Sequence, residues 1–191
     1  MRVSATSTLY KVKLANPFFG LATATIMLTA CQFNAYHIKG EAKGCEDGEV
    51  LYIADGLTPD TPPIDSIIVT ESHFIFYGET DTARLCRLYR GSNPCQFVTF
   101  FLEPGDIYVE LSPHPGYSRV SGTSANNAWQ ALNDKTSACD RQLRRIMKDD
   151  RHDRSAQVKV VYTKMDRDIR EAAIKNADNA MGRFVSTRYQ Y

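Results

Sequence analysis

Phe97-Val98-Thr99-Phe100-Phe101-Leu102-Glu103-Pro104-Gly105-Asp106-Ile107-Tyr108-Val109-Glu110-Leu111 is the stretch that decides the fold class. Its two flanks, 97–102 and 107–111, are β-branched and aromatic, the composition that a pleated, half-buried surface favours. Between them, proline fixes φ near about −65° at the second turn position and glycine accepts a positive φ at the third, as a type II turn requires. The two strands are therefore expected to pair as an antiparallel hairpin.

Shorter runs of the same kind precede it. Phe33, Ala35 and Ile38 begin a sparse alternation that stops near Gly40. Val50-Leu51-Tyr52-Ile53, Ile67-Ile68-Val69, Phe74-Ile75-Phe76-Tyr77 and Arg84-Leu85-Cys86-Arg87-Leu88-Tyr89 follow, bounded by Gly, Pro, Asp and Ser. Gly91-Ser92-Asn93-Pro94 and Ser112-Pro113-His114-Pro115-Gly116 punctuate the connections, and the proline-rich 55–63 segment reads as an exposed loop. Several short strands close together predict an antiparallel β-sandwich.

After Gly122 the period changes. Trp129, Leu132, Thr136, Cys139, Leu143 and Ile146 recur at helical spacing, with Thr123 or Ser124 as N-cap. Val158, Val161, Met165, Ile169 and Ala172 make a second stripe. The charged run 148–157 joins them as a hairpin bend or as a stretch of exposed helix. The class is therefore α+β: an antiparallel β-sandwich over 32–122, a two-helix hairpin over 123–180 with helices near 124–147 and 157–175, and a C-terminal tail over 181–191. Each helix has a narrow apolar stripe, so it must pack on its neighbour or on the sheet.

The chain opens differently. Lys11 and Lys13 precede an apolar run that closes on Leu28-Thr29-Ala30-Cys31, the pattern of a secretory signal ending in a lipobox. Cleavage before Cys31 would leave its thiol lipid-modified at the new N-terminus. The run 14–30 is interrupted by Asn16, Pro17 and Gly20 and falls short of the roughly 20 apolar residues of a membrane span. Ordinary secretion after Ala30 is the other alternative. Gln32 is not the acidic residue associated with inner-membrane retention, so a lipid-anchored protein of the outer membrane, facing the periplasm, is expected.

Removing Arg2, Lys11 and Lys13 with residues 1–31 turns 23 basic against 22 acidic side chains into 20 against 22, moving the net charge from +1 to −2. That balance argues against nucleic acid, which needs a clustered basic face. Residues 32–122 carry 6 basic and 13 acidic side chains, whereas 123–191 carry 14 and 9, so the two halves are expected to attract one another.

Gly40, Gly48, Asp65-Ser66, Phe74-Ile75-Phe76-Tyr77-Gly78, Phe101 to Asp106, and Val120-Ser121-Gly122-Thr123 with Asn126 and Ala128 together resemble domain of unknown function 4369. This is a β domain at the N-terminus of lipid-anchored thiol:disulfide interchange and peroxiredoxin-like proteins of Bacteroidetes. The resemblance covers 33 to about 130, and more loosely the helices and the stretch 176–182. Ser72-His73 departs from it, standing where the family tends to have glycine. The resemblance implies a thioredoxin-like domain with Cys-x-x-Cys after the helices; no such pair lies in this sequence, so no catalytic residue carries over.

Besides Cys31, four cysteines remain, Cys45, Cys86, Cys95 and Cys139. Cys86 and Cys95 flank the Gly91–Pro94 turn and are the candidate disulfide; a buried apolar role is the alternative, and it is the reading for Cys139 on its helical stripe. Asp149, Asp150, His152 and Asp153 read as a solvated charged bend rather than a metal site. His37, His73 and His114 lack a neighbouring nucleophile motif. Catalytic, metal and cofactor sites are therefore expected to be absent. A binding or accessory module is expected, with an envelope protein or a thioredoxin-like protein as partner. The N-terminal portion of an oxidoreductase whose thioredoxin-like domain is missing or separate is the alternative, and a structural spacer is the third reading.

Overall fold

The computed structural model describes residues 34–58, 61–114, 116–148 and 154–190. Leu28, Thr29, Ala30 and Cys31 lie outside these, as do Asp149, Asp150, His152 and Asp153. Among the described residues the strands are β1 (Ala35–Ala42), β2 (Val50–Asp55), β3 (Asp65–Ile68), β4 (His73–Glu79), β5 (Arg84–Arg90), β6 (Phe97–Leu102), β7 (Gly105–Leu111) and β8 (Arg119–Ser121). Three helices follow: α1 (Ser124–Lys148), α2 (Arg154–Lys175) and α3 (Ala180–Tyr189).

The strands form two four-stranded sheets, ordered β4-β1-β7-β8 and β3-β2-β5-β6. They enclose a core that includes Ile38, Leu51, Ile53, Leu88, Phe100, Ile107 and Val109. The architecture is the expected α+β sandwich with helices after it, but the pairing of the decisive stretch is not the expected one. β6 pairs with β5, whereas β7 pairs with β8 and, in parallel, with β1. Phe97–Leu111 is thus a crossing between sheets and not a hairpin. Gly105, at φ 121°, begins β7 on the far side of the sandwich from β6, and the free edge of β6 is occupied instead by side chains of α1. β1 also runs past Gly40 to Ala42, and β8, at three residues too short to show a period, is a strand the sequence pattern does not reveal.

β1 and β4 exchange glycines and rings. Gly40 faces Phe74, and Tyr36 faces Gly78. A Cβ at Gly40 would collide with the Phe74 ring and the Val109 carbonyl oxygen, and one at Gly78 would collide with the Tyr36 ring. Each aromatic ring lies flat in the space where a side chain on the neighbouring strand would stand, so both glycines are fixed by packing.

The change of period falls at Gly122, whose φ of 110° turns the chain from β8 into α1. Glu103 supports the start of the helix: its carboxylate accepts from the Ala125 N–H at 3.2 Å, placing negative charge at the positive end of the helix dipole. The expected stripe is the buried one, with Leu132, Cys139 and Ile146 inside. α1 and α2 pack antiparallel, Lys135 meeting Asp168 and Cys139 meeting Lys164. Near the sandwich they share a second core with Leu85 and Phe101; further out they pack on each other through Cys139, Ile146 and Val161. The stretch expected as a tail forms α3, capped by the Asn179 side chain on the Gly182 N–H and ended by Gln190 in the left-handed region. Its Met181 and Val185 close the second core.

Apolar burial, not net charge, joins the two halves. Among the described residues the ion pair between them, Arg119 with Asp134 at 3.1 Å, has the polarity opposite to the halves' net charges. Asn34–Tyr191 is one compact unit.

Candidate functional site

Helices cover the outer face of β5 and β6 at Leu85 and Phe101. The outer face of β4-β1-β7-β8 is left open, and its register sets side chains in three rows. Tyr77, His37 and Asp106 form the first; Ile75, Lys39, Tyr108 and Ser121 the second; His73, Glu41, Glu110 and Arg119 the third. Tyr77 is 63 % exposed, Tyr108 48 % and Ile75 42 %.

The charges around these apolar groups are held in place. His37 Nδ1 lies 3.2 Å from an Asp106 carboxylate oxygen, and its ring meets Tyr77 edge-on at 5.2 Å between centroids. Lys39 Nζ stands 3.9 Å from the same Asp106 oxygen. Glu41 and Glu110 are directly opposite one another, a repulsive placement on neighbouring strands, and Lys43 bridges them at 3.5 and 3.9 Å. His73 donates through Nδ1 to the Glu71 carbonyl at 2.7 Å.

One edge of this face rises into a wall built by α1. Gln130 accepts from the Val120 N–H at 2.8 Å and donates to Asp134 at 2.9 Å, and Asp134 in turn receives Arg119. Between the wall and the sheet runs a cleft of about 580 Å³, lined by Lys39, Glu41, Tyr108, Arg119, Asn127 and Gln130, among others. Fixed charges of both signs, two amide side chains and a tyrosine ring can recognise a surface or a ligand. They do not form a nucleophile with a base beside it.

The cysteines are placed elsewhere. The candidate bridge between Cys86 and Cys95 is not formed; Cys45, Cys86, Cys95 and Cys139 are all free. Cys86 pairs across the sheet with Phe100. Cys95 lies in the turn, five positions before Phe100 and outside β6, so it is not the cross-strand neighbour of Cys86 that a disulfide with Cα atoms within about 7 Å needs. Burial pushes the Cys86 and Cys45 thiols up to about 11, and Cys139 is buried between the helices. Cys95 is exposed in the turn before β6. Among the described residues no group of three or more His, Cys, Asp or Glu is placed to hold a metal ion, and no helix is long and apolar enough to cross a membrane.

Sequence reasoning leaves the outward rings undecided and misses the His37–Asp106 contact, because that contact needs β1 and β7 to be parallel neighbours. The available signal is the alternation itself: residues 37, 39 and 41, residues 73, 75 and 77, and residues 106, 108 and 110 are the outward positions of three strands.

No curated protein and no solved structure matches the chain. A family model does, over residues 36–129, from the second residue of β1 to Trp129 on α1. These residues of the chain belong to the DUF4369 family, a domain of unknown function.

Proposed function

We propose that this chain is a lipid-anchored protein of the cell envelope whose sandwich is a non-catalytic binding module, with the open face of β4-β1-β7-β8 as its recognition surface. The observation that carries the reading is the set of exposed apolar and aromatic residues, Ile75, Tyr77 and Tyr108, between the ion pairs of Lys39 with Asp106 and of Lys43 with Glu41 and Glu110. An exposed, ordered aromatic patch rimmed by charge is the composition of an interaction site. An envelope protein is the partner this chemistry fits, and a thioredoxin-like protein is the one that the family resemblance suggests. The state of the thiols supports the absence of redox turnover: exchange proceeds through an accessible thiolate, and two of the thiols are held near 11.

Three measurements test this. Cys31→Ala abolishes acyl labelling and releases the protein from membranes; a variant that stays in the pellet after high salt overturns the lipid anchor. The purified protein does not reduce insulin with dithiothreitol as electron source; turnover that disappears in Cys86→Ser/Cys95→Ser overturns the non-catalytic reading. A photo-crosslinking phenylalanine at Tyr108 gives a discrete adduct in cells, whereas the same group at the exposed Ile68 on the other sheet does not; equal yields at both positions overturn the assignment of the face.

A further inference from the structure

We propose that α1 carries a docking stripe for an anionic lipid bilayer, made of Arg141, Arg144, Arg145 and Lys148. The four stand at positions i, i+3, i+4 and i+7, so they share one face of the helix. All four are exposed, and their face is opposite the one that buries Cys139 and Ile146. None has a carboxylate partner among the described residues.

A charged helix face is ordinarily laced with opposite charges, and α2 follows that rule. Lys164 pairs with Asp168, Arg167 with Glu171 and Arg170 with Asp166, each four residues apart. The α1 stripe instead sets like charges against each other at 141/144, 141/145, 144/148 and 145/148, which destabilises a helix. The helix dipole compensates for Arg145 and Lys148, which lie in the last turn. It does not reach Arg141 and Arg144, and Asp140, four residues before Arg144, makes no ion pair with it among the described residues. Asp149, Asp150 and Asp153 follow the stripe outside the described residues, leaving 141–154 with six basic against three acidic side chains.

A row of exposed side chains along one helix face suits an extended field of laterally mobile negative headgroups better than a shaped ligand. Met147, beside it, is 62 % exposed, an apolar group available to the headgroup boundary. The inference rests on the lipid-anchor reading for its location: Cys31 is three residues before Asn34, the first described residue. β1 and α1 start at the same pole, since Tyr36 faces Gly105 and a Cβ on Gly105 would lie 3.1 Å from Thr123. From Ser124 to Arg145 the helix rises about 31 Å. Simultaneous contact of anchor and stripe therefore lays α1 along the membrane.

The test uses the chain from Gln32 onward, which holds the whole compact unit and carries no lipid, so its failure is separate from that of the anchor. In sedimentation with vesicles it binds those containing about 30 % phosphatidylglycerol and not pure phosphatidylcholine, and high salt releases it. Arg141→Gln/Arg144→Gln lowers the partition coefficient about 25-fold, roughly fivefold per charge. Glutamine keeps helix propensity, and unchanged circular dichroism checks the fold. Arg167→Gln/Arg170→Gln on α2 leaves the partition unchanged. The proposal is overturned by equal binding to both vesicle types, by equal losses in the two double variants, or by displacement from anionic vesicles with stoichiometric duplex DNA.

Discussion

Asn126 serves Phe101 as a further strand would. Its Oδ1 accepts from the Phe101 N–H and its Nδ2 donates to the Phe101 carbonyl, both at 2.8 Å, while the same Nδ2 also reaches Thr123 Oγ1. Trp129 extends the contact by donating to the Thr99 carbonyl at 3.1 Å. One helical turn thereby occupies the free edge of β6, and Gln130 on the same helix does the same for β8 at Val120. Open sheet edges invite pairing with other chains, and here both are closed by side chains of α1.

Asn126 is fully buried, so Asn126→Ala strands a backbone donor and acceptor without water and is expected to cost about 2–4 kcal/mol in urea unfolding. Asn127→Ala, whose bonds to Gly122 are exposed, costs about 0.5 kcal/mol by the same measurement. Equal losses would show that the Phe101 contact carries no special weight.

The turn before β4 holds Glu71 at φ 51° and Ser72 at φ 62°, both in the left-handed region. Such a turn favours glycine, and a serine stands in it here. Ser72→Gly is expected to raise stability by about 1 kcal/mol, read as a rise in the urea midpoint with an unchanged slope. A fall in midpoint would mean that the unfolded-state entropy of glycine outweighs the relief.

Strands and helical stripes were legible because alternation and 3.6-residue spacing are local. Partners were not. Gly105 accepts the positive φ that a hairpin turn needs, and it serves a crossing between sheets equally well, so the residues 103–106 do not say which follows. The parallel pairing of β1 with β7 joins positions far apart in sequence, and with it comes the row of His37 and Asp106 that the site depends on. Asn126 was readable in principle: it stands three before Trp129, on the buried face of α1, where a polar residue must have a partner. α3 leaves no clear sequence signal, because Met181, Phe184 and Val185 form a stripe shorter than a reliable helical pattern.

Glu49 and Arg90 join the β1–β2 connection to the end of β5. Arg90 Nε and Nη2 donate to the two carboxylate oxygens at 2.9 and 2.6 Å, Ser92 Oγ donates to the same carboxylate, and Arg90 Nη1 reaches Gln96 at 2.7 Å. The Arg90 bonds first, then Ser92, bring the Glu49 carboxyl from 4.5 down to about 2. A carboxyl lowered on folding stabilises the native state above its unfolded value, and the contribution fades as pH falls from 4.5 towards 2. Glu49→Gln is therefore expected to cost about 2–3 kcal/mol at pH 7 and progressively less below pH 4.5. A wild-type minus variant difference that is flat from pH 7 to pH 2.5 would remove the pair from the stability of this pole.

The family match ends at Trp129, one turn into α1, and that turn contains the side chains that close β6. A chain cut after Gly122 keeps all eight strands and loses Asn126, Trp129 and Gln130 together. It also uncovers Leu85 and Phe101, which the second core holds at 9 % and 1 % exposure. Two separate liabilities then appear on one sheet: an unpaired edge, and an apolar face beside it. The 32–122 fragment is expected to bind hydrophobic dye and to associate with rising concentration. A fragment that runs to Lys135 restores the edge contacts while α2 and α3 remain absent, and is expected to bind dye without associating as strongly. The comparison separates the edge from the face. If 32–122 is monomeric, dye-negative and as stable as the full unit, the helices neither close the edge nor cover the face, and the packing of α1 on β6 is energetically idle.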